Sequence, residues 1–304
     1  MGALRVTQGI VMNRLLNNIQ DQSKRILDLQ TQLATGLRVN TVSDNPVDAR
    51  RAMNTRAAIA KNQQYLDNMS SASPQLEESV SSLQTMVNAI LRARELTLQG
   101  ANGTEGQAAL DAIAEEIDQL LEGAVNTANH QSGNLYIFGG TRTRSMPYEV
   151  TRDVDGDITA VTYQGNTETV SVGVADGVTV EVNEPGSTVF QGSQDLFQTL
   201  IDIRDALRAG DQATLQNQSL DELEAIRQQL NQGMARLGAV QNRVTSLTNE
   251  TEDFQIQLEQ LLSDSRDADF ADVIIRLNAQ SNAFQAALNA AARVIQPSLL
   301  DYVG

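Results

Sequence analysis

Residues 223–262 read LEAIRQQLNQGMARLGAVQNRVTSLTNETEDFQIQLEQLL. Alternating steps of three and four residues along this stretch meet an apolar or small side chain at nearly every position. A period of about 3.5 residues places such side chains along one side of a helix, as in helices that pack side by side. The stretch therefore predicts one long α-helix. Its seam positions are Leu223, Ile226, Leu230, Gly233, Leu237, Val240, Val244, Leu247, Thr251, Phe254, Leu258 and Leu261.

Four other stretches repeat this spacing, at residues 12–33, 66–90, 110–124 and 274–295. The first and the last of them mirror each other in pattern and lie at opposite ends of the chain. We expect these two to pair as antiparallel helices. The sequence therefore predicts a mainly α protein, in which a long antiparallel helical bundle or coiled coil is built from both termini.

Breaks between the helices can be read from helix-capping and helix-breaking residues. Thr35-Gly36 is predicted to end the first helix, and Asn45 followed by Pro46 to begin the second, because these residue types are favoured at those positions. Pro74 interrupts a seam that stays in phase, which predicts a kink and not a stop. Residues 100–106 predict a loop, and residues 263–269 predict an interruption of the last long helix.

A different pattern occupies the middle of the chain. Asp155-Gly156 predicts a hairpin turn, since Gly accepts a positive φ. Valines then alternate with polar or small residues at 170, 172 and 174 and again at 178, 180 and 182, which is the period of a β-strand. We expect a small β-rich tip domain inserted between helical segments.

These patterns divide the chain into three predicted domains, two of them discontinuous. Residues 1–45 with 265–304 form a terminal coiled-coil domain. Residues 46–147 with 193–264 form a central helical bundle, and residues 148–192 form the small β domain.

The composition excludes several classes of function. The 304 residues include no Cys, no Trp and one His, which excludes disulfide scaffolds and Cys-based zinc sites. The net charge of −16 argues against nucleic acid and anionic membranes as partners. The charge is uneven, because residues 1–60 hold eight basic and four acidic groups, or +4, which leaves −20 for residues 61–304.

No catalytic, cofactor-binding or metal-binding constellation is predicted. Asp153 to Asp157 has the acidic spacing of a calcium loop, but its Gly stands in the wrong place and strands flank it, so a hairpin turn is favoured. His130 lies where a helix gives way to a loop and has no nucleophile motif beside it. The sequence contains no phosphate-binding loop and no nucleophile elbow. We therefore expect a protein that is not an enzyme.

Residues 1–30 lack the run of apolar residues that a cleavable signal peptide needs, and no stretch of about 18 apolar residues predicts a membrane span. Two interpretations stay open, a cytosolic protein and a protein exported without a cleaved signal.

The terminal stretches carry few bulky side chains. A lone pair of such helices buries too little apolar surface to offset the entropy of ordering it. We therefore expect the two ends to be disordered in an isolated chain and to fold against neighbouring copies of the chain.

Motifs near the two ends of the sequence resemble those of the bacterial flagellin family. The N-terminal motif is TGLRVN at residues 35–40 with SDNPVDA at residues 43–49. The C-terminal motif is DFADVIIRLNAQ at residues 269–280 with AALNAAARV at residues 286–294. Within that family, NLYIFGGT at residues 134–141, the short β insertion and the tail SLLDY at residues 298–302 resemble the junction proteins more than the filament protein.

The resemblance implies an extracellular structural protein at the junction between hook and filament of the bacterial flagellum. It implies self-assembly into a ring or tube lined by the terminal helices, contacts with hook-associated protein 1 and with flagellin, and export without a cleaved signal peptide with the help of a flagellar export chaperone. No cofactor is implied.

The resemblance and the seams together predict an assembly interface. Arg38, Asn40 and Asp44 are expected to hold the corner between terminal and central helices, although Asp44 could instead be a helix cap. The seam residues could instead be ordinary core. The nominated seam residues are Leu15, Ile19, Ile26, Leu29 and Leu33 on the first helix and Ile274, Leu277, Phe284, Leu288 and Ile295 on the last.

Three other functions were weighed against this one. A minor flagellin would make filaments of indefinite length. An intracellular coiled-coil adaptor would stay in the cytosol as a helical dimer. An uncharacterised enzyme is disfavoured by the missing catalytic constellations.

Overall fold

The computed structural model describes residues 2–102 and 106–295 of the chain, with side chains at residues 10–102 and 106–292. Residues 103–105 of the predicted loop and the tail motif at residues 298–302 lie outside the described residues. The helices are α1 (Gly2–Thr35), α2 (Pro46–Ala101), α3 (Gln107–Ala128), α4 (Gly186–Val189), α5 (Leu196–Ala209), α6 (Gln212–Thr214), a π-helical turn (Leu215–Ser219), α7 (Leu220–Arg266) and α8 (Phe270–Ile295). The strands are β1 (Gln131–Ser132), β2 (Leu135–Tyr136), β3 (Tyr148–Arg152), β4 (Ile158–Tyr163), β5 (Ser171–Ala175) and β6 (Val178–Glu181).

The chain divides into two compact units. Unit 1 holds the described residues up to Lys61 and those from Phe254 onward, and unit 2 holds Asn62–Asp253. Long helices at both ends and a small strand-containing segment in the middle confirm the predicted fold class. The three-domain division stays a prediction.

The helix boundaries follow the residues that predicted them. Gly36, with φ of +73°, follows the last residue of α1, and Pro46 is the first residue of α2. The α2 helix continues through Pro74, so this proline does not stop it. The predicted interruption between α7 and α8 is present and falls at residues 267–269.

Unit 1 contains little apolar core. Its α1 and α8 helices pack along each other, as the mirrored seams predict. The fully buried apolar side chains in its described part are few and mostly small, so burial contributes modestly to its stability. They are Val39, Ala49, Ala52, Leu258, Val273 and Ala291.

Unit 2 holds the continuous hydrophobic core. The α3 helix packs against α5, and α5 also packs against β4. The predicted seams of α2, α3 and the first half of α7 contribute buried side chains to this core, so these seams are intramolecular core. Their largest contributions include Met69, Leu76, Leu83, Ile90, Ile117, Leu121, Leu223, Ile226 and Leu230.

In the described part of unit 2, the strands form three antiparallel hairpins. In β3–β4, Tyr148 pairs with Tyr163 and the turn contains Gly156 at φ of +96°, which confirms the hairpin predicted from Asp155-Gly156. The valine alternation is confirmed as β5–β6. The short β1–β2 hairpin was not predicted from the sequence, because two-residue strands leave no periodicity to detect.

A cluster of aromatic side chains packs between these hairpins and the helices. Phe138 and Phe190 meet edge to face with ring centroids 4.8 Å apart, and Tyr148 lies 4.9 Å from Phe197 and 5.1 Å from Tyr163. Such pairs add to the stabilisation from burial alone. Five of the eleven aromatic residues thus lie where strands and helices meet.

Candidate assembly interface

The predicted seam of α1 lies on the side of the helix that is partly covered. Leu15, Ile19, Ile26, Leu29 and Leu33 are all half-buried, whereas Leu16 and Leu27 on the other side are 49% and 58% exposed. Packing with α8 therefore covers this seam incompletely. The remaining apolar surface is available to another helix.

The predicted seam of α8 is only partly the face that packs. Leu277 and Phe284 are half-buried, as expected, but Ile274 and Leu288 are 47% and 43% exposed. Only two positions of the seam change by one residue, because Val273 is better covered than Ile274 and Ala287 is better covered than Leu288. The backbone of Ile295 belongs to α8, and its side chain lies outside the described residues.

Exposed bulky apolar side chains are concentrated in unit 1. Fourteen of the twenty that the described residues contain belong to this unit, although unit 2 is the larger of the two. Where such side chains form a contiguous patch, they are typical of sites of protein association. The fourteen are Ile10, Val11, Leu16, Leu27, Val42, Val47, Met53, Phe254, Ile256, Leu261, Phe270, Ile274, Ile275 and Leu288.

The turn after α1 is bound to the turn before α8 through main-chain atoms. The Arg38 N–H donates to the Arg266 carbonyl at 2.8 Å, and the Ala268 N–H donates to the Gly36 carbonyl at 2.9 Å. Leu37 and Asp267 thus form an antiparallel bridge. These bonds form a main-chain joint between the two turns, and the role predicted for the corner residues stays a prediction.

The Arg38 side chain extends this joint in two directions. Its Nη1 lies 3.0 Å from Asp48 Oδ2 in α2, and its Nη2 donates to the Ser265 carbonyl in α7 at 2.9 Å. A guanidinium suits this position, because its planar fork can serve two acceptors at once. Sequence reasoning missed both partners. Asp48 lies ten residues further along the chain, in a different element, and a main-chain carbonyl leaves no signal in the sequence.

Asp44 closes the loop between α1 and α2. Its carboxylate accepts from the Thr41 N–H and the Thr41 hydroxyl, both at 2.7 Å, and from the Asn40 N–H at 2.9 Å. The Thr41 main-chain bond, followed by its hydroxyl bond, lowers the pKa of Asp44. Asn40 donates from Nδ2 to the Leu37 carbonyl at 3.0 Å. Asp44 is therefore a loop-closing residue.

Asn45, the residue predicted to cap α2, does so. Its Oδ1 accepts from the Val47 and Asp48 N–H groups at 3.1 and 3.2 Å, and its Nδ2 donates to Asp48 Oδ2 at 2.6 Å. Asp48 Oδ2 is thus shared between the helix cap and Arg38. The assembly role predicted for the seams and the corner residues is taken up below as a proposal.

His130 and the Asp153–Asp157 segment are the possible site residues considered in the sequence. Across residues 10–102 and 106–292, no three acidic or histidine side chains gather closely enough to hold a metal ion. His130 is half exposed, with Nε2 3.8 Å from Glu78 Oε2. Asp153 accepts from the Asp155 and Asp157 N–H groups, which makes it part of the hairpin turn.

Among the helices of the described ranges, none is at once long enough and apolar enough to span a membrane.

Comparison with solved structures identifies the fold as flagellin-like. The FlgL protein of Bacillus cereus superposes with a TM-score of 0.58 at 24% identity, covering 69% of this chain and 99% of that one. The flagellar junction protein FlgL of Legionella pneumophila superposes with a TM-score of 0.59 at 15% identity, covering 71% of this chain and 100% of that one.

Sequence comparison then identifies the family. The bacterial flagellin N-terminal helical region matches residues 6–143, and the C-terminal helical region matches residues 220–303. The two matches jointly cover more than half of the chain, so the chain belongs to the bacterial flagellin family. It is similar to flagellar hook-associated protein 3 of Salmonella typhimurium, at 27% identity over 190 residues. That alignment covers 62% of this chain and 57% of the relative, so the chain matches little more than half the length of this relative.

Proposed function

We propose that this chain is a structural protein of the bacterial flagellum that forms the junction layer between hook and filament. In this role, copies assemble side by side into a short ring or tube. Residues 1–45 with 265–304 line the inside, the central helices form the next layer, and the β segment lies outside. The chain has no catalytic activity in this role.

The observation that carries the proposal is the uneven distribution of apolar surface. Unit 2 has a closed core, while unit 1 leaves bulky apolar side chains exposed along α1 and α8 and at the ends of α2 and α7. A surface of this kind is stabilised by covering it with another protein. Similarity to hook-associated protein 3 and to a flagellar junction protein supports the choice of other copies and flagellar neighbours as that cover.

The partners and the location follow from this role. The chain would contact hook-associated protein 1 on one side and flagellin on the other, and an export chaperone would cover its C-terminal helix beforehand. It would function outside the cell, after export without a cleaved signal peptide. Terminal helices with little core of their own suit such export, because little stable structure must be unfolded for transport.

The test uses a strain that lacks the gene for this chain. Restoring the full chain is expected to restore filaments on hooks, observed by electron microscopy, together with motility. A version lacking residues 1–45 and 265–304 is expected to be a soluble, folded monomer that restores neither. As a matched control, Val154→Ser changes a fully exposed turn residue of unit 2 and should behave like the unchanged chain.

Two results would contradict the proposal. The first is a truncated version that still joins hook to filament. The second is an overproduced full chain that grows filaments of indefinite length in place of a bounded layer, which would identify a minor flagellin.

A further inference from the structure

We infer that neighbouring copies of the chain meet through two faces of unit 1 that carry opposite charge. The basic face consists of Arg50, Met53 and Arg56 at the start of α2. The acidic face consists of Ile256, Glu259 and Asp264 near the end of α7. This inference rests on the proposed function and specifies one contact within it, away from the terminal seams.

The basic face has an exposed apolar centre between two unpaired cations. Met53 is 61% exposed, and Arg50 and Arg56 are exposed three residues before and after it. Residues three apart are neighbours on a helix surface, so the three side chains form one patch. Neither arginine has a hydrogen bond or an ion pair among the described residues, in contrast to Arg38, which is bound to Asp48.

The acidic face combines an exposed apolar side chain with two charges of the opposite sign. Ile256 is 65% exposed, Glu259 is exposed three residues after it, and Asp264 is exposed eight residues after it on α7. Their carboxylates accept from the neutral amides of Gln255 and Gln260, at 3.1 and 2.9 Å. These bonds leave both negative charges uncompensated.

Physical complementarity pairs the two faces with each other. Each offers a bulky apolar side chain for a buried contact and a charged border, the usual anatomy of an association surface. Opposite charges on the borders steer the two faces together and disfavour contacts between like faces. No ion pair in the described residues joins the faces within one chain. A second copy therefore supplies what each face lacks.

A contact between two different faces propagates. When the basic face of one copy meets the acidic face of the next, each copy keeps one face free for a further copy. Repetition then gives a ring or a helical layer and not a closed dimer. This geometry is the one that a junction layer requires.

The absence of Cys allows a direct test by crosslinking in assembled flagella. Full chains carrying Met53→Cys and full chains carrying Ile256→Cys are produced together in the deletion strain, and isolated flagella are treated with a short bis-maleimide. A crosslinked dimer that contains one chain of each kind is expected. Met53→Cys alone should give no dimer, and Met53→Cys with Arg243→Cys should give none, since Arg243 is an exposed residue of unit 2.

Charge reversal provides the second test. Arg50→Glu with Arg56→Glu should reduce the fraction of hooks that carry filaments by about tenfold, because each contact now places like charges together. Adding Glu259→Lys and Asp264→Lys to the same chain should restore that fraction, since the faces are again opposite in sign. The matched control Arg144→Glu with Arg243→Glu makes the same change of net charge in unit 2 and should have no effect.

The possible outcomes separate the two proposals. If the unchanged chain fails to appear at the junction, the proposed function is wrong. If the chain appears there but Met53→Cys and Ile256→Cys give no mixed dimer, the paired faces are wrong while the function stands. A fourfold variant that performs no better than the Arg50→Glu, Arg56→Glu variant would also overturn the pairing of these faces.

Discussion

At the scale of single residues, several amide side chains of unit 2 hydrogen-bond to main-chain groups of other segments. Asn129 donates from Nδ2 to the Tyr148 carbonyl and accepts from the Tyr148 N–H, both at 2.9 Å, so it replaces a missing strand partner for β3. Asn68 of α2 donates to the Gly173 carbonyl in β5 at 2.8 Å. An amide such as that of Asn129 can donate and accept at once, because it carries a donor and an acceptor on one planar group.

Gln229 is the most heavily bonded of these amides. Its Oε1 accepts from the Ser193 N–H and hydroxyl and from the Gln194 N–H, and its Nε2 donates to the Val189 and Gln194 carbonyls. Gln229→Ala would leave the buried Val189 carbonyl and the less buried main-chain groups of Ser193 and Gln194 without this partner, which should lower the free energy of unfolding of unit 2 by about 2–4 kcal/mol. Urea unfolding followed by tyrosine fluorescence measures this loss.

Gln228→Ala is the matched control for Gln229. Gln228 is the exposed neighbour on α7, and among the described residues it hydrogen-bonds only to Glu224 in the same helix, at 3.1 Å. Its replacement should change the free energy of unfolding by no more than about 0.5 kcal/mol. Equal effects of the two substitutions would mean that the Gln229 contacts do not stabilise unit 2.

Asp44 makes the stability of the corner depend on pH. Because hydrogen bonds lower the pKa of Asp44 in the folded chain, its contribution is complete above the unfolded-state pKa, about 4. The contribution is lost as the pH falls through the lower, folded-state pKa. The difference in Tm between the unchanged chain and Asp44→Asn should therefore be present at pH 7 and shrink below about pH 4.

Circular dichroism at several pH values checks the prediction for Asp44. Asp28→Asn serves as control, since Asp28 is exposed on α1 and has no hydrogen bond or ion pair among the described residues. A Tm difference for Asp44→Asn that stays constant from pH 7 to pH 3 would show that its charge does not hold the loop.

At the scale of elements, the sequence predicted the helices that have a clear apolar period and the helix ends that carry capping or helix-breaking residues. The heptad seam predicted residues 223–262 as a helix, and α7 runs over Leu220–Arg266. Gly36, Asn45 and Pro46 marked the ends of α1 and α2 because their backbone preferences are local. The same applies to Gly156 in the β3–β4 turn.

The face that a helix buries and the hydrogen-bond partners of a side chain were less predictable than the helix boundaries. The sequence placed Ile274 on the α8 seam, but Val273 is the buried neighbour, since both residues are apolar and a one-residue shift keeps the period. The bonds of Gln229 and Arg38 connect segments far apart in the chain, so no local pattern reveals them. The apolar centres at Met53 and Ile256 required knowledge of exposure, which periodicity alone does not supply.

Two glycines should respond to the same substitution in opposite directions. Gly36 has φ of +73°, a conformation that disfavours side chains, so Gly36→Ala should destabilise unit 1 by about 1–2 kcal/mol. Gly123 lies inside α3 with open space around its Cβ position, so Gly123→Ala should stabilise unit 2 by about 0.4–1 kcal/mol. Thermal unfolding measures both. A stabilised Gly36→Ala variant would contradict the predicted strain at the end of α1.

At the scale of the whole molecule, core and exposed apolar surface are separated between the two units. The continuous hydrophobic cluster belongs to unit 2, whereas unit 1 has the half-buried seams and most of the exposed bulky apolar residues. The basic excess of residues 1–60 also falls in unit 1. Unit 2 is thus equipped to be stable in a single chain, whereas under the proposed function neighbouring copies supply part of the stability of unit 1.

This separation predicts different rates of amide hydrogen exchange in the isolated chain. Helices with few buried apolar contacts open locally at low free energy, so amides of α1 and α8 should exchange at least about tenfold faster than those of α3 and α5. In assembled flagella the protection of α1 and α8 should rise toward that of α3, because neighbouring copies cover their seams. Mass spectrometry of exchanged peptides measures both states. Protection of α1 in the dilute monomer equal to that of α3 would mean that unit 1 is stable alone and that assembly is not needed to complete it.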